Sequence, residues 1–252
     1  MNIGILATAQ KVAISLSVIL AVRAEAAEIR VLCTSATTAT TNRLFAEFER
    51  ETGHKTVVRY EFGPGLRRQA ELNETFDVAI VSFDVAELTT SRKITDGTRV
   101  VIGRTGLGAA VKKGAVKPDI STSEALKRTL LSARSISYSA GSSGPITLAL
   151  FERLGIAEDI KSKLVSSATV SVEDTIAKGE PELLINGVAV ILRVPGAELV
   201  GWLPSELQSY VVFTGGISAA SRQPEAGKAL LRFLTTAKVV LLLKANGIEP
   251  SL

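Results

Sequence analysis

Residues 29–53 read IRVLCTSATTATTNRLFAEFERETG, and this stretch decides the fold. The run at 29–33 is short and apolar apart from Arg30, as a strand covered on both faces should be. The hydroxyl-rich TSATTATT that follows is poor core material. Leu44, Phe45 and Phe48 then fall on one helical face, and Gly53 supplies a stop. An apolar strand running through small hydroxyl residues into an amphipathic helix is the first half of a βαβ unit, which predicts parallel sheet.

Working outward, the same alternation continues. Strands are expected at 56–60 (TVVRY), 77–83 (DVAIVSF), 135–139 (SISYS), 183–192 and from 210 to 213. The run 100–111 reads as a long strand interrupted by Gly103, Gly106 and Gly108. Helices are expected at 66–72, within KPDISTSEALKRTLL (117–131), at 146–154 before Gly155, and through 224–247. Glu124 stands where a capping box would place it, behind a Ser or Thr cap. No internal repeat or long linker interrupts the pattern, and 252 residues are enough for two packed lobes.

Composition narrows the chemistry. Apolar residues at 46% and charged residues at 21% describe an ordinary globular chain. One Cys and one His leave little with which to build a zinc or haem site, so neither metal nor cofactor is expected. A net charge of +4 suits an anionic ligand and is too weak to argue for nucleic acid. Cys33, inside an apolar run, reads as buried and inert, and His54, after a helix-ending glycine, as a surface turn residue. Residues 1–26 read as a secretory signal peptide: Lys11, an uncharged run at 12–22, and an A-x-A site at 24–26 before cleavage ahead of Ala27. Eleven apolar residues are about half of the ~20 a membrane-spanning helix needs.

Three turns carry the candidate chemistry: 33–38 (CTSATT), 61–65 (EFGPG) and 139–144 (SAGSSG). Each follows a strand and precedes a helix, where free amides and the positive end of the helix dipole favour an anion. Any one alone is equally a helix cap, since Ser, Thr and Gly are the favoured capping residues. Three at equivalent points of successive units argue for one shared anion site. Micromolar binding needs about 8 kcal/mol, and hydrogen bonds to a charged group contribute roughly 1.5–3 kcal/mol each, so about five donors suffice. Arg67 or Arg68 would add a clamp on a carboxylate, the other being a solvated neighbour. The candidate ligand-binding set is Ser35, Thr37, Gly63, Gly65, Arg67, Arg68, Ser139, Ser142, Ser143 and Asn186. Other motifs fail. GSSGP at 141–145 lacks the G-x-S-x-G spacing, the sole His gives no triad, and GRTGLG at 103–108 is not a dinucleotide fingerprint.

Residues 28–32, FAEFERETG (45–53), Arg68-Gln69, DVAIVS (77–82), KPDISTSEALKRTLL, FERLGIAEDIKSK (151–163) and EAGKALLRFLTT (225–236) resemble the periplasmic molybdate-binding family, solute-binding proteins of the type II periplasmic fold. The likeness covers nearly the whole chain after residue 26. It implies an α/β fold of two doubly wound lobes joined by two crossing strands, with the ligand in the cleft between. Residues 27–104 with 214–252 would form one lobe and 105–213 the other. It also implies a periplasmic monomer that delivers a small anion to an ABC permease in the inner membrane.

The sequence departs from that family at the ligand turns. Molybdate binders in the family use a serine after the first strand and a serine cluster after the second. Here the first position falls at or beside Ala36, between Ser35 and Thr37, and the cluster is replaced by Phe62-Gly63-Pro64. Glu61 beside it would repel a dianion, and Arg67 suits a carboxylate better. The expected function is therefore a receptor for a small oxyanion or a di- or tricarboxylate. The alternative is an isomerase of a small polycarboxylate, resembling aconitate isomerase relatives of the family. In it Glu61 would act as base, Ser142 and Ser143 as donors to the developing enolate, and Arg67 or Arg68 as carboxylate holder. A sensor that reports its ligand to a membrane partner would look the same.

Overall fold

The computed structural model describes residues 26–62, 64–71, 75–83, 93–166 and 182–251; the signal-peptide reading of the first 26 residues lies almost wholly outside them. Strand β1 (Glu28–Thr34) lies between β2 (Lys55–Glu61) and β3 (Val78–Val81), parallel to both. Helix α1 (Thr38–Thr52) makes the first crossover. It buries Leu44, Phe45 and Phe48 and ends at Gly53, whose φ of 77° is the left-handed cap a helix stop needs. Helix α2 (Pro64–Glu71) makes the second crossover.

Strands β4 (Val100–Lys112) and β9 (Tyr210–Ile217) run antiparallel to each other through the middle of the molecule. The strand order is β2-β1-β3-β9-β4-β7-β5-β6. Here β5 (Ile136–Tyr138) is parallel to β6 (Leu164–Ser166) and to β7 (Leu183–Gly187). β7 and β8 (Ala197–Trp202) are antiparallel to β4, as is the short β10 (Glu249–Pro250). Helices α3 (Ser123–Ser132), α4 (Gly144–Arg153) and α5 (Ala157–Ile160) belong to this second half. After β7 comes the single-turn helix α6 (Val188–Ile191), and after β9 come α7 (Pro224–Phe233) and α8 (Val240–Ala245).

Two main apolar cores result. One gathers Ile29, Phe48, Ile80, Phe213 and Leu230; the other gathers Leu107, Leu126, Ile136, Phe151 and Ile185. β4 feeds both, because Val100–Gly106 pairs with β9 while Leu107–Ala110 pairs with β7. Gly106 sits at that exchange of partners, and a Cβ there would come within 2.9 Å of Trp202 and of Gln208. Gln208 then holds the next residue: its Oε1 accepts from Leu107 N at 2.7 Å and its Nε2 donates to Leu107 O at 3.0 Å.

Four expectations change. The run 183–192 is not one strand: β7 ends at Gly187 and the chain turns into α6. A short apolar run reads equally as buried strand or buried helix, and the Asn186 carboxamide, accepting from Gly187 N at 2.8 Å, makes the turn. The final helical region breaks after Phe233, where the Thr235 and Thr236 hydroxyls donate to carbonyls of the preceding turn. The cap of α3 is Thr122, its side chain accepting from Ala125 N, so Glu124 falls at the second helical position. His54 is buried rather than on the surface, stacked on Phe48, with its Nδ1 accepting from Ala27 N at 3.1 Å.

Candidate ligand site at the strand tips

Parallel strands leave their carboxyl ends on one edge, and here the register sets which residues share it. Thr34 of β1 is opposite Glu61 of β2, and Cys33 is opposite Ile80, which puts the end of β3 and Ser82 alongside. The Thr34 hydroxyl reaches Ser82 Oγ at 3.4 Å and accepts from Ala36 N at 3.4 Å. A 3-10 turn, Ser35–Thr37, leads into α1, so the start of that helix lies at the same edge, with Thr38 N donating to Ser35 O. Ser35 is half-buried, with no hydrogen bond to its hydroxyl among the described residues. Thr37 is different: it is buried and its hydroxyl donates to Thr34 O at 3.2 Å, so it braces the turn from beneath.

Beneath that turn lies a line of hydroxyls. Cys33 Sγ is 3.7 Å from Thr37 Oγ1 and 3.9 Å from Thr41 Oγ1. Thr41 meets Tyr60 OH at 2.8 Å, and Tyr60 donates to Asn42 Oδ1 at 2.6 Å. Burial pushes the Cys33 thiol up to about 12, with the Thr37 and Thr41 hydroxyls pulling weakly the other way. Burial likewise raises the Tyr60 phenol to about 12, against the bond from Thr41. Both groups therefore stay protonated at neutral pH. Cys33 is packing, as its apolar run suggests.

At the second turn Glu61 points back on its own structure. One carboxylate oxygen takes Arg59 Nε at 2.8 Å; the other lies 3.2 Å from where a Cβ on Gly65 would stand, in the first turn of α2. The Glu61 carboxylate thus lies beside the first turn of α2, paired with Arg59. Arg67 and Arg68 separate cleanly. Arg67 is half-buried with its guanidinium 4.2 Å above the Phe83 ring, just past the tip of β3, whereas Arg68 is exposed. Gly63 lies outside the described residues.

In the second half, the tips of β5 and β7 are neighbours, with Tyr138 opposite Ile185. Ser139 is buried and its Oγ accepts from Gly141 N at 2.9 Å. Ser143, also buried, donates to Asn186 Oδ1 at 2.6 Å. With Oδ1 already accepting from Ser143 and Gly187 N, the Asn186 NH2 is the donor that neither contact uses. Ser142 is half-buried and precedes Ser143, the residue that caps the start of α4.

The three turns converge. Helix α6, which continues directly from Asn186, packs on the Ser35–Thr37 turn, and Ala189 of α6 joins the first core. Phe62, after β2, lies against Gly141, after β5. Ser35 on one edge and Ser142 and Asn186 on the other are thus brought close, with Arg67 beside Phe83; Thr37, Ser139 and Ser143 are buried behind those edges. Sequence reading missed Ser82 and the Phe62 contact. Ser82 was signalled only by following DVAIV directly; the contact is long-range and leaves no local trace.

Residues 29–249 match the family described as bacterial extracellular solute-binding protein. The chain belongs to that family. An aconitate isomerase from Pseudomonas sp is 31% identical over 180 residues, covering 71% of this chain and 69% of the relative. A molybdate-binding protein of Azotobacter vinelandii is 27% identical over 241 residues, covering 91% and 92%. Among solved structures, the periplasmic molybdate-binding protein of Azotobacter vinelandii superposes with a TM-score of 0.71 at 16% identity, covering 87% of this chain and 98% of that one. The two lobes and crossing strands are thus the type II periplasmic-binding-protein fold, as the resemblance implied.

Proposed function

We propose that this solute-binding protein takes a small polycarboxylate into the cleft between its lobes. The observation that carries this reading is the contrast between Glu61 and Arg67. Glu61 stands beside the first turn of α2, where its carboxylate works against a compact inorganic dianion, while Arg67 is anchored over Phe83, the residue after Ser82. A guanidinium that is held in place loses little entropy on gripping a carboxylate in two-point fashion. Ser35, the Asn186 amide and the helix starts of α1 and α4 supply uncharged donors for the remaining carboxylates. Ser142 stands among these donors, Ser139 and Ser143 hold the second edge in shape, and Thr37 braces the first.

We take residues 27–104 with 214–252 as one moving lobe and 105–213 as the other. The exchange of β4 partners between Gly106 and Leu107 and the two separate cores support that division. Export to the periplasm with cleavage before Ala27 follows from the leader pattern, and the family suggests delivery of the ligand to a membrane permease. A ligand that touches both lobes stabilises the closed form by its differential affinity.

A second reading, isomerisation of the bound polycarboxylate, is favoured by the 31% identical aconitate isomerase. Glu61 would take a proton from the methylene carbon of aconitate and return it to the former vinylic carbon. The double bond shifts and the formula is unchanged. Donors on the second edge would hold the enolate formed in between.

The test is calorimetric titration of the mature protein with tricarballylate, both aconitates, citrate, molybdate and sulfate. A polycarboxylate should bind tightest. Arg67→Ala should weaken it by roughly 10- to 150-fold, the range for one charge-assisted contact of about 1.5–3 kcal/mol, and Arg68→Ala by little. Tightest binding to molybdate, or indifference to Arg67→Ala, would refute the reading. Deuterium entering aconitate in D2O, lost in Glu61→Gln while binding persists, would establish turnover.

A further inference from the structure

Phe62 stands out because a large apolar side chain is 48% exposed at the tip of an otherwise polar edge. Its ring is not idle. A Cβ on Gly141 would lie 2.8 Å from Phe62 Cε2 and 3.0 Å from its Cζ, closer than side-chain carbons approach each other. Gly141 does not belong to the described glycines with positive φ, so its backbone does not require glycine. The space is tight: the end of the Phe62 ring and Ser139 Oγ, at 3.2 Å from the same point, both crowd it, so a side chain here fits only if the ring moves. Ser139 cannot yield, since it is buried and tied to Gly141 N. The flat face that Gly141 offers is therefore matched to an aromatic ring arriving from the opposite lobe.

The geometry points to Phe62 as a specificity-determining residue that acts as a spacer, an inference that rests on the cleft reading above. With its ring wedged between the tips of β2 and β5, the lobes cannot approach further at this margin. The closed cleft keeps room for an extended organic anion and is too wide to surround a tetrahedral oxyanion with donors. The ring also offers an apolar wall, next to Glu61, suited to the hydrocarbon part of a polycarboxylate and giving no hydrogen bond to an oxyanion. A smaller side chain at 62 lets the lobes close too far. A larger one at 141 keeps them apart.

Two variants and two readouts test this. Tricarballylate, which has no double bond to shift, and molybdate serve as probes in calorimetric titrations. Spin labels at Arg50→Cys and Lys161→Cys, one on each lobe, report the lobe separation with and without tricarballylate. Phe62→Ala should weaken tricarballylate binding about tenfold and narrow the preference for it over molybdate by at least as much. Gly141→Leu should hold the labels at a wider separation than in the parent and weaken tricarballylate about a hundredfold. An unchanged preference in Phe62→Ala, or unchanged distances in Gly141→Leu, would overturn the spacer role. A parent protein that bound neither probe would instead overturn the polycarboxylate reading, and the label distances would still decide whether the ring sets the lobe separation.

Discussion

Asp77 offers a quantitative test of how β1 and β3 are held to the segment before α7. Its carboxylate is buried and accepts four hydrogen bonds. Oδ2 takes Arg30 N at 2.9 Å and Arg30 Nε at 3.3 Å; Oδ1 takes Arg222 N at 2.9 Å and Ser221 Oγ at 3.0 Å. It thereby ties β1, β3 and the segment before α7 together. In Asp77→Ala the Arg30 guanidinium, a third exposed, and the Ser221 hydroxyl, half-buried, regain water at little cost. Arg222 is exposed, so its N–H is rehydrated in part, while Arg30 N between β1 and the Asp77 segment is not. One fully stranded and one partly stranded donor, at about 1–3 kcal/mol each, give an expected loss of about 3 kcal/mol. With a urea slope near ~3 kcal/mol/M for a chain this size, the midpoint should fall by about 1 M. Circular dichroism is the right probe, because the single Trp202 lies on β8 beside Gly108, away from Asp77 and its partners. Asp77→Asn should also destabilise, since its NH2 must face the Arg30 N and Nε donors one way round or the Arg222 N donor the other, where only the Ser221 hydroxyl can turn to accept. Burial pushes the Asp77 carboxyl up, but the bonds from the Arg30 and Arg222 amides, Ser221 and the Arg30 side chain outweigh this and hold it below the usual carboxylate range. A depressed folded-state value means that the stability is present above the unfolded value of ~3.9 and disappears as pH falls through the lower folded one. The gap between parent and Asp77→Asn should thus be constant from pH 7 to 5 and close only below about 4. A gap under about 1 kcal/mol, or one that closes between pH 7 and 5, would refute the argument.

Gln208→Ala removes both side-chain bonds to Leu107 at the point where β4 changes partners, so a loss of about 1–3 kcal/mol is expected. In a domain this large that lowers the melting temperature by roughly 2–10 °C; an unchanged melt would show that water replaces the clamp without cost. Cys33, with its thiol near 12, should hold only ~1 part in 10,000 thiolate at pH 8 and resist alkylation in the native protein. Labelling that is fast without denaturant would contradict its burial. His54→Ala leaves Ala27 N without its acceptor and removes the stack on Phe48, and should cost about 2–4 kcal/mol by the same urea assay.

What was legible in the sequence was what local periodicity and turn chemistry control. The β1–α1 unit, the Gly53 stop and the three strand-to-helix turns all follow from a few adjacent residues. The partners that cross the molecule were not legible. The run at 183–192 hid a turn because its apolar content is the same in either conformation, and only the Asn186 side chain marks the change. His54 looked like a turn residue because its partners, Phe48 and Ala27, are brought by the helix before it and by the strand 27 positions earlier. Thr37 read as a ligand candidate because a hydroxyl at a turn carries no sign of which way it faces; its bond to Thr34 O turns it inward.

The same distinction explains why the ligand class rests on charge placement more than on the number of hydroxyls. Ser, Thr and Gly turns at strand tips serve oxyanions and carboxylates alike, so in the proposed reading they suit an anion and do not choose between the two. Discrimination needs an element that opposes the wrong ligand. In the proposed reading Glu61 is that element: paired with Arg59 and lying beside the first turn of α2, its carboxylate opposes a tetrahedral dianion gathered at that turn. An extended polycarboxylate can place its charges at Arg67 and at the far edge near Asn186, and keep its carbon chain beside Glu61. Glu61→Gln therefore separates the two effects. If repulsion sets the preference, the amide raises affinity for molybdate several-fold while tricarballylate changes little. If the preference survives unchanged, the shape set by the two edges, and not the carboxylate, selects the ligand.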